Sequence, residues 1–255
     1  MYISVDNINN WICEKYIDEN GKKHVVKKKC KVHKFTKNEN GDYEDIFESK
    51  YIREDIYLND IDNFKEYLEE PGSISVPLQY IHKNYPIREE TNNRELGLKI
   101  GFLDIEVSSI DHFPDPNNPI QDIQLIGITV DDKTTIFGIK ELDKNDDYVK
   151  DLDFTYVFCK DQIELLLQFI LYLRKNEVDI ITGWNSKDFD IPYLVNKCKL
   201  LEKKHKKLKD IQFSNMFSPF YDLFKNNKIS LIHENKKGIF IHGLSHLDYY
   251  LLYKK

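Results

Sequence analysis

The run from Leu98 to Val107 constrains the fold of this chain more than any other segment. Polar and apolar residues alternate along it, and it then becomes almost wholly apolar, with β-branched residues. This pattern predicts a buried strand. Side chains two residues apart on a strand point to the same face, so Asp104 and Glu106 project side by side. Two carboxylates on such a strand repel each other unless a cation joins them, and Mg²⁺ or Mn²⁺ prefers oxygen ligands. The pair indicates a metal site, but one acid facing solvent at a strand end would explain the same pattern.

A third carboxylate follows at Asp190, 84 residues after Glu106. Val178–Gly183 predicts a short apolar strand, and Asp190 comes after a six-residue connection. Pro192 suits the first turn of a new helix, whose apolar face includes Tyr193. An acid at a helix N-terminus is favoured by the helix dipole and can lean over a neighbouring strand. Asp190 is therefore a candidate third ligand, with a purely capping role as the alternative.

From residue 98 onwards the sequence predicts three strands, a helix, a strand and a second helix. Ile123–Val130 and Thr134–Ile139 are strands joined by a tight hairpin at 131–133. Gln162–Lys175 is an apolar helix with Asp161 as its N-cap. This succession, with acids on the first strand and at a later helix start, resembles the ribonuclease-H-like α/β fold.

Residues 1–97 predict a first, mostly β unit, and the polar stretch Arg88–Glu95 is the best candidate for a linker. The predicted elements are strands at Tyr2–Val5 and Asn10–Ile17, a hairpin turn at 19–21 and a helix at Ile61–Glu69. We therefore expect a mixed α/β protein with two domains, 1–97 and 98–255.

The composition narrows the class of protein. A hydrophobic content of 41% is enough for a sizeable core, and a net charge of −6 gives no global basic signature, so DNA binding requires local patches. The four cysteines are scattered without zinc spacing, which predicts reduced thiols: Cys13, Cys30, Cys159 and Cys198. No apolar run is long enough to span a membrane, and no secretory signal is found, so we expect a protein that is not secreted.

Two segments resemble the first two exonuclease motifs of family B DNA polymerases, and the similarity is closest to the replicative polymerases of T-even-type bacteriophages. One segment surrounds Asp104 and Glu106, and the other runs from Asn185 through Phe189-Asp190 to Tyr193. Further pieces agree in order and spacing: Tyr16–Lys22, Phe113–Pro116 and Leu247–Tyr249. The resemblance covers essentially the whole chain.

The resemblance implies a 3′–5′ proofreading exonuclease that removes mismatched nucleotides by two-metal phosphodiester hydrolysis. It implies Asp104, Glu106 and Asp190 as ligands of two Mg²⁺ or Mn²⁺ ions. It implies Asn185, Phe189 and Tyr193 as contacts of the single-stranded 3′ end of DNA. The implied partners are primer-template DNA, the remaining polymerase polypeptide and a sliding clamp reached through that remainder, in the cytoplasm of a bacterial host.

The resemblance also raises the question of completeness. The third exonuclease motif of the family, a Tyr-x-x-x-Asp on a helix, is not found before Lys255, nor is any polymerase motif. We therefore expect the isolated chain to be weakly active or inactive, as a truncated chain or as one part of a split polymerase. Two alternatives remain. One is a stand-alone exonuclease in which Asp248, predicted to lie in an apolar helical run, supplies the late acid. The other is a non-catalytic subunit that binds DNA and its partner fragment.

Overall fold

The computed structural model describes residues 1–29, 31–44, 47–57, 74–85, 97–109, 112–143, 147–235 and 238–254. The chain divides into two compact units, Met1–Leu96 and Gly97–Lys255, one residue before the predicted boundary. The predicted helix at Ile61–Glu69 and the predicted linker at Arg88–Glu95 lie outside the described residues, as does Cys30.

The first unit is rich in β-structure. One antiparallel sheet contains β1 (Tyr2–Ile8), β2 (Trp11–Ile17) and β3 (Lys23–Lys29), and a second contains β4 (Lys31–Lys37), β5 (Tyr43–Glu44) and β6 (Lys50–Tyr57), followed by helix α1 (Val76–Asn84). The predicted hairpin turn is confirmed: the Asp18 side chain accepts hydrogen bonds from the backbone N–H groups of Asn20 and Lys22, and Gly21 adopts a φ of 79°. The buried Glu14 carboxylate accepts hydrogen bonds from Lys28 on β3 and Tyr80 on α1, which joins the helix to the sheet.

The second unit is built on a six-stranded mixed sheet in the order β10-β9-β8-β7-β11-β14. Its strands are β7 (Ile100–Val107), β8 (Ile123–Val130), β9 (Lys133–Gly138), β10 (Thr155–Phe158), β11 (Ile180–Gly183) and β14 (Ser245–Asp248). Strands β7, β8 and β9 form an antiparallel meander, whereas β10, β11 and β14 join by parallel pairing. The meander turns at Asp131 and Asp132, both with positive φ, as a tight two-residue hairpin requires. The mixed α/β architecture predicted from the sequence is confirmed.

Two helices, α2 (Gln162–Lys175) and α3 (Asp190–Lys204), pack on one face of this sheet, and α4 (Lys206–Asp210), a 3₁₀ turn (Phe213–Phe217) and α5 (Tyr221–Phe224) pack against them. Helix α6 (Tyr249–Tyr253) follows β14, and its Tyr249 ring lies near Phe102 on the opposite face. A separate hairpin pairs β12 (Ile232–Asn235) with β13 (Gly238–Ile241). The bounds of α2 match the prediction. Its start is fixed by Asp161 as N-cap, whose carboxylate accepts hydrogen bonds from the backbone N–H groups of Ile163 and Glu164. The main core lies between the sheet and these helices, where residues such as Leu103, Ile126 and Phe169 are buried.

None of the described helices is both long enough and apolar enough to cross a membrane. The three described cysteines, Cys13, Cys159 and Cys198, are buried free thiols.

Candidate active site

The acid pair lies on β7, one of the two central strands of the six-stranded sheet. Leu103 and Ile105 are buried against the helices, whereas Asp104 and Glu106 are exposed on the opposite face. The predicted alternation is therefore confirmed: both carboxylates project from the same face of one strand. Asp104 lies in the middle of the strand, whereas Glu106 is its penultimate residue, so the alternative of an acid facing solvent at a strand end stays open for Glu106.

Asp190 lies beside this strand, although it follows β11 much later in the chain. It is the first residue of α3, as predicted, and only 4% of its surface is exposed. Its Oδ1 atom accepts a hydrogen bond of 3.0 Å from the backbone N–H of Ile105, the residue between the two acids. Two segments that are 85 residues apart in the chain are joined by this bond.

The surroundings of Asp190 raise its pKa from 3.8 to about 7. Burial is the main cause, since it disfavours the charged form, and the negative charge of Asp104 adds to it. The hydrogen bond from the Ile105 N–H lowers the pKa and offsets only part of these effects. The protonated form of Asp190 is therefore favoured mainly by burial, and the negative charge of Asp104 adds to this effect.

A cleft of about 590 Å³ lies beside these acids. Its lining combines acids, aromatic rings and prolines: Asp104, Ile105, Phe113, Pro114, Asp115, Pro116, Trp184, Asn185, Asp188, Phe189 and Asp190. Two residues predicted to contact DNA, Asn185 and Phe189, are in this list. Glu106 is not, although it shares a strand face with Asp104.

Aromatic side chains flank the acids in the cleft. The rings of Phe113 and Phe189 lie 5.7 Å apart between centroids, and Phe113 is 83% exposed. Trp184 is also exposed, and its ring contacts those of Tyr250 and Tyr253. Phe113, Trp184 and the two further lining acids, Asp115 and Asp188, had no predicted role. The signals that could have identified them are the family-like segment Phe113–Pro116 and, for Trp184 and Asp188, their positions next to Asn185 and Phe189.

Tyr193 does not face the cleft, which corrects its prediction as a DNA contact. Its side chain is fully buried, and its hydroxyl donates a 2.9 Å hydrogen bond to the carbonyl of Gln121. One turn further along α3, Asn196 donates to the carbonyl of Pro116 and Lys197 donates to the carbonyl of Gln121. Tyr193 therefore supports the segment that forms one wall of the cleft.

Asp248 also differs from its prediction. It ends strand β14 and caps α6, rather than lying within a helical run. Its two carboxylate oxygens accept hydrogen bonds from the backbone N–H groups of Asn185 and Lys187. Because these oxygens bind loop amides, the structure does not favour Asp248 as a substitute for the late acid of a stand-alone exonuclease.

The donor chemistry of the cleft fits a hard divalent cation, because carboxylate oxygens are the ligands that Mg²⁺ and Mn²⁺ prefer. A bound cation would also offset the negative charge of Asp104, which adds to the effect of burial on the pKa of Asp190. Within the described ranges, however, no three histidine, cysteine or carboxylate side chains are close enough together to hold a metal ion. Binding an ion with three of these acids would therefore require their side chains to move together.

Comparison with known proteins decides the family. Residues 44–255 match the model of the DNA polymerase family B exonuclease domain. The chain belongs to this family. The family assignment confirms the resemblance drawn from Asp104, Glu106 and the segment around Asp190.

Two relatives that align with the whole of this chain are phage polymerases. The chain is 26% identical over 285 residues to the DNA-directed DNA polymerase of Enterobacteria phage T4 and 26% identical over 292 residues to that of Escherichia phage RB69. Each alignment covers all of this chain and 30% of the phage protein. The chain thus spans about a third of the length of the curated relatives that it matches.

The fold is shared with a solved polymerase. The family B DNA polymerase of the hyperthermophilic archaeon Pyrobaculum calidifontis matches 99% of this chain with a TM-score of 0.60 and 14% sequence identity, and 36% of that polymerase is covered. The second unit therefore has the predicted ribonuclease-H-like fold, preceded by a β-rich N-terminal region.

Proposed function

We propose that this chain is the N-terminal portion of a replicative family B DNA polymerase and carries most of its 3′–5′ proofreading exonuclease. The main support is the placement of Asp190, which is bonded to the β7 amide beside Asp104 in a cleft with exposed aromatic rings. The family match over residues 44–255 supports a nuclease reaction. Polymerisation belongs to the whole protein and is proposed for it only through the phage relatives.

Asp104, Glu106 and Asp190 would hold the divalent ions. Bound Mg²⁺ or Mn²⁺ would supply a water of lowered pKa and stabilise negative charge on the leaving 3′-oxygen. The four carboxylates that line the cleft repel a phosphodiester, so substrate binding depends on cations between them.

The other lining residues suit a single strand. Phe113, Trp184 and Phe189 offer exposed or partly exposed rings on which bases can stack, and base stacking tolerates any sequence. Asn185 offers an amide that can hydrogen-bond the terminal nucleotide. A single-strand site of this kind selects mismatched termini, because a mismatched 3′ end melts at a lower free-energy cost than a paired one.

The proposed partners follow from the proposed exonuclease function. They are the single-stranded 3′ end, primer-template DNA, the remaining polymerase polypeptide and, through that polypeptide, a sliding clamp, in the cytoplasm of a bacterial host.

The decisive experiment is degradation of single-stranded DNA with a labelled 3′ end, with Mg²⁺ or Mn²⁺ and with EDTA. We expect metal-dependent removal of 3′ nucleotides by the polymerase that contains this chain, and weak or no removal by the 255-residue chain alone. The double variant Asp104→Ala/Glu106→Ala should abolish removal in both proteins and leave DNA synthesis by the polymerase intact.

Asp132→Asn is the matched control, since it changes an acid on the β8–β9 hairpin to a residue that also tolerates positive φ. Equal loss of nuclease activity in this control would show that the acid pair acts through folding. Undiminished activity of the double variant would exclude the proposed ligands.

A further inference from the structure

The loop between β11 and α3 is held by the end of strand β14. We define the cleft loop as Trp184–Phe189, most of which lines the cleft. Strand β14 pairs in parallel with β11, so its last residues lie beside the point where this loop begins. Asp248 pairs in register with Gly183, immediately before the loop.

The Asp248 carboxylate binds the loop at two points. Its Oδ1 atom accepts a 3.1 Å hydrogen bond from the N–H of Asn185, and its Oδ2 atom accepts a 3.0 Å hydrogen bond from the N–H of Lys187. The Oδ1 atom also accepts a 2.9 Å hydrogen bond from the N–H of Tyr250. Only 7% of Asp248 is exposed, so water competes little for these bonds.

His246 binds the residue between these two points. Its Nε2 atom lies 2.8 Å from the hydroxyl oxygen of Ser186, which is fully buried. Strand β14 thus binds three consecutive loop residues, two through Asp248 and one through His246.

The loop needs this support because its backbone is not regular. Asn185 has a φ of 57°, a left-handed conformation that is uncommon outside glycine. Its carbonyl accepts hydrogen bonds from the N–H groups of Asp188 and Phe189, which turn the chain into α3. Asp190, the first residue of α3, therefore takes its position from the loop on one side and from the Ile105 amide on the other.

We propose that Asp248 is a positioning residue of this site: by binding the amides of Asn185 and Lys187, it sets where Asn185 and Asp190 stand relative to Asp104. The inference rests on the proposed exonuclease function for its catalytic consequence, but not for its structural one. Displacement of a reacting group by about 1 Å can cost on the order of a hundredfold in rate, so a loosened loop should have a large effect on activity.

Asp248→Asn is the informative variant because it keeps the side-chain shape and replaces one acceptor oxygen with an N–H donor. That donor would face the N–H of Asn185 or Lys187, and the remaining bond would lose its charge assistance. We expect amide hydrogen exchange in peptides covering 184–190 to become roughly 10- to 100-fold faster.

Trp184 provides a second measurement within the loop, in a Trp11→Phe background that removes the other tryptophan. Its ring lies 5.3 Å from that of Tyr250, whose N–H is bound by the same carboxylate. We expect Asp248→Asn to shift the emission of Trp184 and to change its quenching by acrylamide.

Asp179→Asn is the matched control. Asp179 is a fully buried aspartate just before β11, and its Oδ2 atom accepts a 2.8 Å hydrogen bond from the N–H of Lys99. It lies at the opposite end of the strand from the cleft loop. We expect this variant to lower the melting temperature without changing exchange in 184–190 or the emission of Trp184.

The kinetic measurement uses the polymerase that contains this chain. We expect Asp248→Asn to lower kcat for single-stranded DNA at least tenfold with little change in KM, and Asp179→Asn to leave both unchanged. Wild-type exchange and Trp184 emission in Asp248→Asn, or equal changes in both variants, would overturn the positioning role. If the wild-type polymerase degrades no DNA while the loop measurements still separate the two variants, the exonuclease function fails and the loop role stands.

Discussion

At the scale of single residues, the electrostatics of the site depend mainly on Asp190. Its carboxyl group is buried and lies near Asp104 and Asp248, so the folded state favours its protonated form. A carboxyl pKa that is raised on folding contributes stability that is fully present below the unfolded value. That contribution is lost as the pH rises through the folded value. For Asp190 this window runs from 3.8 to about 7.

Asp190→Asn should therefore stabilise the protein relative to wild type increasingly as the pH rises. Asparagine can still accept the hydrogen bond from the Ile105 N–H but carries no charge. The difference in unfolding free energy between variant and wild type should become more favourable by roughly 1–4 kcal/mol between pH 5 and pH 8.

Urea denaturation followed by circular dichroism at the two pH values, without divalent ions, measures this difference. Asp132→Asn is the control, and its difference from wild type should stay nearly constant. A pH-independent loss of stability in Asp190→Asn would show that the ionised carboxylate is not under strain in the folded state.

At the scale of elements, helix α3 supports one wall of the cleft. The buried ammonium group of Lys197 donates hydrogen bonds to the carbonyls of Ile120 and Gln121 and to Asp122. The carbonyl of Gln121 also accepts the hydroxyl of Tyr193. Burial lowers the pKa of Lys197, and the bond to Asp122 offsets part of this effect.

Lys197→Met and Tyr193→Phe should lower the unfolding free energy by different amounts, because the carbonyl of Gln121 accepts hydrogen bonds from both side chains. Lys197→Met keeps the side-chain length but removes every bond of the ammonium group, so we expect a loss of about 2–3 kcal/mol. Tyr193→Phe leaves Gln121 bonded to Lys197 and should cost only about 1 kcal/mol. Hydrogen exchange in peptides covering 112–122 should accelerate much more in the first variant.

Lys199→Met provides the control on the same helix, because Lys199 makes a surface ion pair with Glu234. It should cost less than about 1 kcal/mol and leave exchange in 112–122 unchanged. Equal exchange in the Lys197 and Lys199 variants would mean that the wall does not depend on the buried ammonium group.

These elements also show what the sequence could and could not predict. The acid pair, the start of α3 and the capped helix α2 follow from local rules of alternation and capping, and the structure confirms them. Strand β14 was not predicted, since Ser245–Asp248 has only four residues and its assignment depends on pairing with β11. The role of Tyr193 was also wrong, because an aromatic residue beside a motif gives no sign of whether it faces a cleft or the core.

At the scale of the whole molecule, the face of the sheet that carries the acids also carries apolar side chains. Phe102, Thr182 and Leu247 stand in one register row across β7, β11 and β14. Phe102 is 49% exposed and Leu247 is 58% exposed, and the ring of Tyr249 lies 6.2 Å from that of Phe102. Adjacent exposed apolar side chains of this kind favour association with other apolar surfaces.

We therefore expect the 255-residue chain to bind the dye ANS and to self-associate through this row. Phe102→Ser combined with Leu247→Ser should reduce ANS fluorescence severalfold and shift sedimentation towards the monomer, because both changes remove apolar surface that faces water in the folded chain. Ile211→Ser is the control, since Ile211 is 44% exposed in the turn after α4, on a different element. If that variant lowers ANS binding and self-association as much as the double variant does, the association depends on exposed apolar area in general and not on this face of the sheet.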